Sequence, residues 1–151
     1  MPCLTKEVRK WEMRTYMKSR EANKNDVAFI LDSWMKSWRR NKFAGVIPNN
    51  QYYDVTRTCI ENLVARGAKF KVVCLDSDED AILGWICVEK LKDGNTAVHY
   101  LYCKDPYLKA GVPEKLVEDL PVTGFYTFRF NQVVEFLPGW KWVPEIARRK
   151  E

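Results

Sequence analysis

The chain holds a single histidine, His99, among its 151 residues. Metal motifs that need two imidazoles on one helix face, H-E-x-x-H among them, are thereby excluded. Cysteine is present five times, at Cys3, Cys59, Cys74, Cys87 and Cys103, with no C-x-x-C pair. A tetrahedral zinc set cannot be drawn from that spacing with one histidine, so no metal is expected. The odd, scattered thiols read as reduced core residues behaving as small hydrophobes. Long apolar runs are also missing. The longest uncharged stretch, Phe43 to Tyr53, is interrupted by Gly45, Pro48 and two asparagines, whereas a membrane span needs roughly 20 apolar residues. The first residues carry no apolar core of a secretory signal. These absences lead to the expectation of a soluble, cytoplasmic protein with no membrane partner. No internal repeat or low-complexity segment is present.

What the chain does have is apolar surface: 46% hydrophobic and 13% aromatic residues, including six tryptophans. That excludes disorder as its main state. The length suits one domain, expected over residues 1–151 with a frayed basic end at 147–151. Basic residues exceed acidic ones by 25 to 20, an excess that permits a polyanionic partner without requiring one.

Trp11 to Met17 reads as a first strand. Asn25 then caps a helix whose apolar positions Val27, Ile30, Leu31, Trp34, Met35 and Trp38 form one stripe at helical spacing. After the connector Phe43–Pro48, a second helix starts at Asn49 or Asn50. It places Tyr52, Val55, Thr56, Cys59, Ile60, Leu63 and Val64 inward and stops at Gly67. The period then changes to that of strands. Lys69–Leu75 and Ala81–Glu89 flank an acidic turn, Asp76–Asp80, and Lys92–Asn95 turns into the almost wholly apolar strand Thr96–Cys103. A helix from Pro113 to Leu120 follows. A strand Phe125–Phe130, a helix Gln132–Leu137 and a strand Trp140–Val143 complete the chain. The order β-α-α-β-β-β-α-β-α-β predicts an α/β protein with a mixed, mainly antiparallel sheet and helices on both faces. The crossover after Cys103 makes the next strand parallel to Thr96–Cys103.

Within that order lies the unit His99-Tyr-Leu-Tyr-Cys-Lys-Asp-Pro-Tyr-Leu-Lys-Ala-Gly-Val-Pro-Glu-Lys-Leu116. It resembles the strand, loop and helix of the GCN5-related N-acetyltransferase (GNAT) superfamily, its small bacteriophage-encoded members most of all. The Asp32-Ser-Trp34 helix and the Pro144-Glu-Ile-Ala-Arg-Arg-Lys150 ending agree with such members, and the specific likeness is confined mainly to residues 98–117. The resemblance implies the GNAT fold and acetyl-coenzyme A as acyl donor. It implies that a bulged strand pairs with the pantetheine arm through the backbone of Leu101, Tyr102 and Cys103. The loop Leu108, Lys109, Ala110, Gly111, Val112 and Pro113 would cradle the pyrophosphate. The family pattern Q/R-x-x-G-x-G/A falls on Leu108, Gly111 and Pro113, so only the first glycine matches. Leu108 offers no polar head and Pro113 no N–H. A lost charge-assisted hydrogen bond is worth roughly 1.5–3 kcal/mol, which Lys104, Lys109 and Lys115 offset in part. The residues alone leave a second reading open, in which Gly111 only makes a turn and Pro113 only starts a helix.

Acyl transfer by direct attack needs a base for the acceptor amine and an acid for the leaving thiolate. The family uses Glu, His or an ordered water as base. His99, the one side chain here whose ordinary pKa lies near neutrality, and Glu89 on the neighbouring strand are the candidates. A lone histidine in an apolar strand has a structural reading as well, a hydrogen-bonded core residue, and Glu89 one as a solvated strand end. The family's acid is a tyrosine in the later helix, where this chain has none. Tyr126, one element earlier, is the last tyrosine in the sequence. Cys103 has no second histidine to activate it and reads as inert. Trp38, beside Arg39, Arg40 and Lys42, reads as core or as part of a partner surface.

The expected function is transfer of an acyl group from acetyl-coenzyme A to an amine on a protein or small molecule. The alternative is an inactive GNAT-like viral or accessory protein that keeps the fold and binds a macromolecule. Nucleic acid ranks last as partner, since the basic clusters come with no recognised motif. Monomer and dimer stay equally open.

Overall fold

The computed structural model describes residues 16–39, 49–104, 107, 110–128 and 136–148, without the side chains at 38, 39, 49–53 and 148. The expectations for Trp11–Thr15, the Phe43–Pro48 connector, Arg129–Phe130, Asn131 and Gln132–Glu135, and the last residues lie outside it, as do Cys3 and the Trp38 and Tyr52 side chains.

The described strands are β1 (Met17–Glu21), β2 (Lys69–Leu75), β3 (Asp78–Lys90), β4 (Thr96–Cys103), β5 (Phe125–Tyr126) and β6 (Lys141–Trp142). They form one sheet in chain order. β1 to β4 are antiparallel neighbours, whereas β4–β5 and β5–β6 are parallel. The helices are α1 (Val27–Arg39), α2 (Asn49–Ala65), α3 (Val112–Val117) and α4 (Glu145–Arg148). This is the expected mixed, mainly antiparallel α/β architecture. Among the described residues no helix is long and apolar enough to cross a membrane.

Strand alternation divides the core into two layers. Phe70, Trp85 and Tyr100 share one face and receive Trp34 of α1, whose ring lies 6.2, 5.3 and 5.2 Å from theirs. The Trp85 indole donates to Ser33 Oγ at 2.8 Å, which gives a buried N–H its acceptor. On the opposite face α3 packs Val112 and Leu116, both buried, against the sheet. A Cβ on Gly84 would stand 2.9 Å from Val112 Cγ1 and 2.7 Å from Tyr102 O. Glycine is what allows so close an approach. Lys71 Nζ latches α3 from the sheet side, donating to Lys115 O and to Asp119 at 3.0 Å each. Helices therefore cover both faces, as expected.

Several boundaries differ from the sequence reading. Of the expected strand's described residues, Tyr16 lies in a turn and Met17 opens β1. Its polar sequence MKSRE is a strand because β2 supplies a ladder and side-chain pairs fix it: Lys18–Glu79 at 2.6 Å and Arg20–Asp26 at 2.7 Å. The cap belongs to Asn23, not Asn25. Its side chain accepts from Asn25 N while Asp26 accepts from Asn23 N, a capping box on a short 3-10 turn ahead of α1. Val27, Val55 and Val64, expected inward, are exposed, and the buried stripe of α2 is Thr56, Ile60 and Leu63. β3 starts at Asp78, so the acidic turn shortens to Asp76-Ser77. α3 starts at Val112 with Pro113 second and ends at Val117. β5 ends at Tyr126, so that Thr127 and Phe128, expected to continue it, are not in a strand.

Candidate functional site

The β3–β4 register holds an irregularity. Cys87 faces Tyr100 and Glu89 faces Ala97, so β3 advances by two residues while β4 advances by three. His99 is the extra residue of a β-bulge, which turns His99 and Tyr100 toward the same face. Tyr100 stacks on Trp34 and meets Ser37 Oγ at 2.9 Å. Burial pushes its phenol up to about 12, so it holds its proton at neutral pH.

His99 lies in a closed polar chain. Its Nε2 is 2.8 Å from Glu89 Oε1 and its Nδ1 is 2.8 Å from Thr127 Oγ1. Arg66, just past the end of α2, donates to the same Glu89 oxygen from Nε at 3.2 Å and from Nη2 at 2.9 Å. Nη2 also donates to Ile146 O in α4. His99 is 0% exposed, and Glu89 and Thr127 are each 5% exposed. Burial holds the imidazole below its ordinary pKa, against the opposing hydrogen bond to Glu89. The neutral ring therefore donates from Nε2 to the carboxylate and accepts the Thr127 hydroxyl at Nδ1.

Next to this chain the sheet parts. β4 and β5 pair only at Ala97↔Phe125 and Val98↔Tyr126, and Thr127 N then donates to Val98 O at 3.2 Å. Beyond that point β4 runs on to Cys103, and among the described residues no strand pairs with its outer edge. Leu101 and Cys103 are buried on the α3 side, so what they present to that edge is main chain; Tyr102 is half-buried. Cys103 Sγ donates to Lys104 O at 3.4 Å. At the end of the following loop Gly111 takes φ +95° as N-cap of α3, a conformation costly to other residues. Ala110, Val112 and Pro113 are buried beside it.

The structure thus brings His99 and Glu89 into contact and puts Tyr126, half-buried, on β5 where the strands separate. Leu108 and Lys109 lie outside the described residues. Lys104 Nζ sits 5.2 Å from the Phe29 ring centroid, and Lys115 Nζ is 4.0 Å from Glu118. Arg66 and Thr127 were not expected from the sequence. Arg66 carries no signal in the sequence beyond that of a cation near a helix end, and Thr127 falls within the expected strand Phe125–Phe130. The pairing of His99 with Glu89 was readable once a bulge was allowed, because both then share a face.

No family model and no curated protein matches the sequence. Solved structures do. An acetyltransferase of the GNAT family from Staphylococcus aureus Mu50 aligns at 18% identity and a TM-score of 0.48, over 69% of this chain and 62% of its own. A possible acetyltransferase from Clostridium difficile 630 aligns at 14% identity with a TM-score of 0.50, over 85% of this chain and 79% of its own. AAC(6')-Iy in complex with the bisubstrate analogue CoA-S-monomethyl-acetylneamine aligns at 12% identity and a TM-score of 0.46, over 68% and 67%. The chain spans less than two thirds of the length of the first of these. The likeness is one of architecture: the chain shares its fold with the possible acetyltransferase from Clostridium difficile 630.

Proposed function

We propose that this chain transfers an acyl group from acetyl-coenzyme A to an amine on a protein or small molecule. The observation that carries the reading is the parting of β4 from β5 after two residue pairs, which among the described residues leaves the end of β4 without a partner strand. An uncovered strand edge is a ladder for any ligand with alternating amide donors and acceptors, and the pantetheine arm is such a ligand. In this reading the backbone of Leu101, Tyr102 and Cys103 holds that arm, and Gly111 turns the chain so that the N–H groups of Val112 and Glu114 face the pyrophosphate. The coenzyme, when bound, supplies a thioester carbonyl activated toward attack.

The remaining work falls to side chains at the parting. Tyr126 is assigned the proton for the leaving thiolate. His99 and Glu89 are buried in bonds to each other and to Thr127 and Arg66, so the acceptor amine gives its proton to ordered water, with the histidine chain behind it. A second reading, a GNAT-like protein that binds a macromolecule without transfer, draws on one feature: Pro113 removes a donor from the first turn of a six-residue helix.

One titration decides between them. Acetyl-coenzyme A at a hundred times its dissociation constant stabilises a binding protein by about 2.7 kcal/mol, read as a rise in melting temperature. Gly111→Val should remove that rise, because a β-branched residue resists positive φ. No rise for the wild-type protein at millimolar coenzyme would discard the enzyme reading and leave the second.

A further inference from the structure

We infer that Thr127, held by His99, is the positioning residue that fixes how far β4 and β5 stand apart. The inference deepens the acyltransferase reading and rests on it for its consequence, though not for its geometry. Thr127 follows β5 directly and spends each of its polar groups on a different neighbour. Its N–H donates to Val98 O of β4 at 3.2 Å, its hydroxyl meets His99 Nδ1 at 2.8 Å, and its carbonyl accepts from Trp142 Nε1 of β6 at 3.2 Å. The last β4–β5 pair is Val98↔Tyr126, one residue earlier. Thr127 therefore stands where pairing stops, bonded to the strands on both sides.

His99 transmits rigidity to it. The ring nitrogen facing away from Thr127 is fixed by Glu89, which Arg66 fixes in turn, and Arg66 also holds Ile146 O. The chain ties β3, the β4 bulge, α2 and α4 to one hydroxyl. Buried and satisfied at each described link, such a network permits one arrangement of its members. The groups facing the imidazole are Glu89 and Thr127, with Arg66 behind the carboxylate. Neither Thr127 nor His99 touches the reacting atoms in this account. They set the opening into which the donor fits.

The experiment compares wild type with Thr127→Val, which keeps the shape and loses the hydroxyl, and with Thr127→Ser, which keeps the hydroxyl. Amide hydrogen exchange is measured first, on the protein without coenzyme. Thr127→Val should speed exchange at least tenfold at Tyr126, Thr127 and the His99–Cys103 stretch while β2 stays unchanged, and Thr127→Ser should behave as wild type. The wild-type imidazole should show Nε2–H and an unprotonated Nδ1 in its nitrogen spectrum. With coenzyme, Thr127→Val should raise the KM for acetyl-coenzyme A about tenfold, the equivalent of one neutral hydrogen bond, with a smaller change in kcat. Unchanged exchange beside β5, or a loss spread evenly over the sheet, overturns the inference whatever the coenzyme does. Local exchange gains together with wild type failing to bind coenzyme uphold the geometry and instead defeat the acyltransferase reading.

Discussion

Replacing Arg66 by methionine removes the cation from the buried chain while keeping much of the apolar stem. The Arg66 side chain is 8% exposed and that of Glu89 6%, so water does not take over the lost bonds. Breaking a buried pair from one side costs about 3–5 kcal/mol, because the remaining charge is stranded. The surface pair Lys36–Asp32, at 3.1 Å but 63% and 60% exposed, is the internal control. Lys36→Met there should cost no more than about 0.5 kcal/mol. The Arg66 penalty should also depend on pH in a direction that identifies its source. In the wild type, burial holds His99 below its ordinary value near 6.5. The unfolded chain then binds a proton that the folded one refuses, and this contribution to stability is lost as pH falls below that value. Without Arg66, one of the causes that lower it, the His99 pKa moves up toward its ordinary value, while burial, the larger cause, remains. The variant loses less of this contribution than wild type as pH falls. The deficit of the variant should therefore be largest near pH 8 and shrink on acidification, by at most about 1.4 kcal/mol per pH unit for one proton. Urea unfolding at pH 8, 7, 6 and 5.5 reads this directly. A deficit below 1 kcal/mol, or one flat across that range, refutes the account of the chain as a charge-compensated unit.

Other consequences are simpler to check. Gly84→Ala forces a Cβ to within 2.7 Å of the Tyr102 carbonyl and 2.9 Å of Val112, and overpacking against backbone should cost about 3 kcal/mol. For a chain of this size that lowers the melting temperature by roughly 6–12 °C, and an unaffected melt would mean that β3 and α3 are not so close. Asp26→Asn removes a carboxylate that accepts two bonds from Arg20, at 2.7 and 3.1 Å, and one from Asn23 N. The Arg20 bond holds this carboxyl below its ordinary value of 3.8. Its contribution, about 2–3 kcal/mol, is therefore present at neutral pH and lost as acid titrates it below that value. Wild type and Asp26→Asn should differ at pH 7 in chemical denaturation and converge toward pH 3.

The parts of the fold that were legible share one property, a period carried by buried side chains. β2 and β4 fall at Lys69–Leu75 and Thr96–Cys103 as read, because KFKVVCL and TAVHYLYC are β-rich runs bounded by turn residues. Gly67, at φ +109°, stops α2 where a left-handed residue was expected. Where the period was carried by exposed or polar residues, tertiary context decided. Met17–Glu21 has no apolar alternation to announce it; its backbone ladder to β2 makes it a strand, while Arg20–Asp26 ties it to the 3-10 turn and Lys18–Glu79 to β3. Phe125–Phe130 reads as a long aromatic strand, yet its ladder to β4 stops at Tyr126, and Thr127 bonds to the His99 imidazole. Nothing local to FYTFRF encodes a partner 28 residues away.

For the same reason the candidate site is half visible in the sequence. His99 and Glu89 were visible as chemistry, but their relation depends on one inserted residue in β4. With unbroken alternation, His99 and Tyr100 would point to opposite faces. One of them would then enter the apolar layer of Val112 and Leu116, leaving either an imidazole without Glu89 or a phenol without Ser37. A buried polar group left without a partner costs about 1–3 kcal/mol. The bulge avoids both losses by turning the two residues together toward α1 and α2, one into the aromatic stack on Trp34 and the other into the chain from Arg66 to Thr127. It also lies beside the point where β5 leaves β4. The device that satisfies the core is therefore next to the one that opens the sheet, and a change that straightened β4 would disturb both at once.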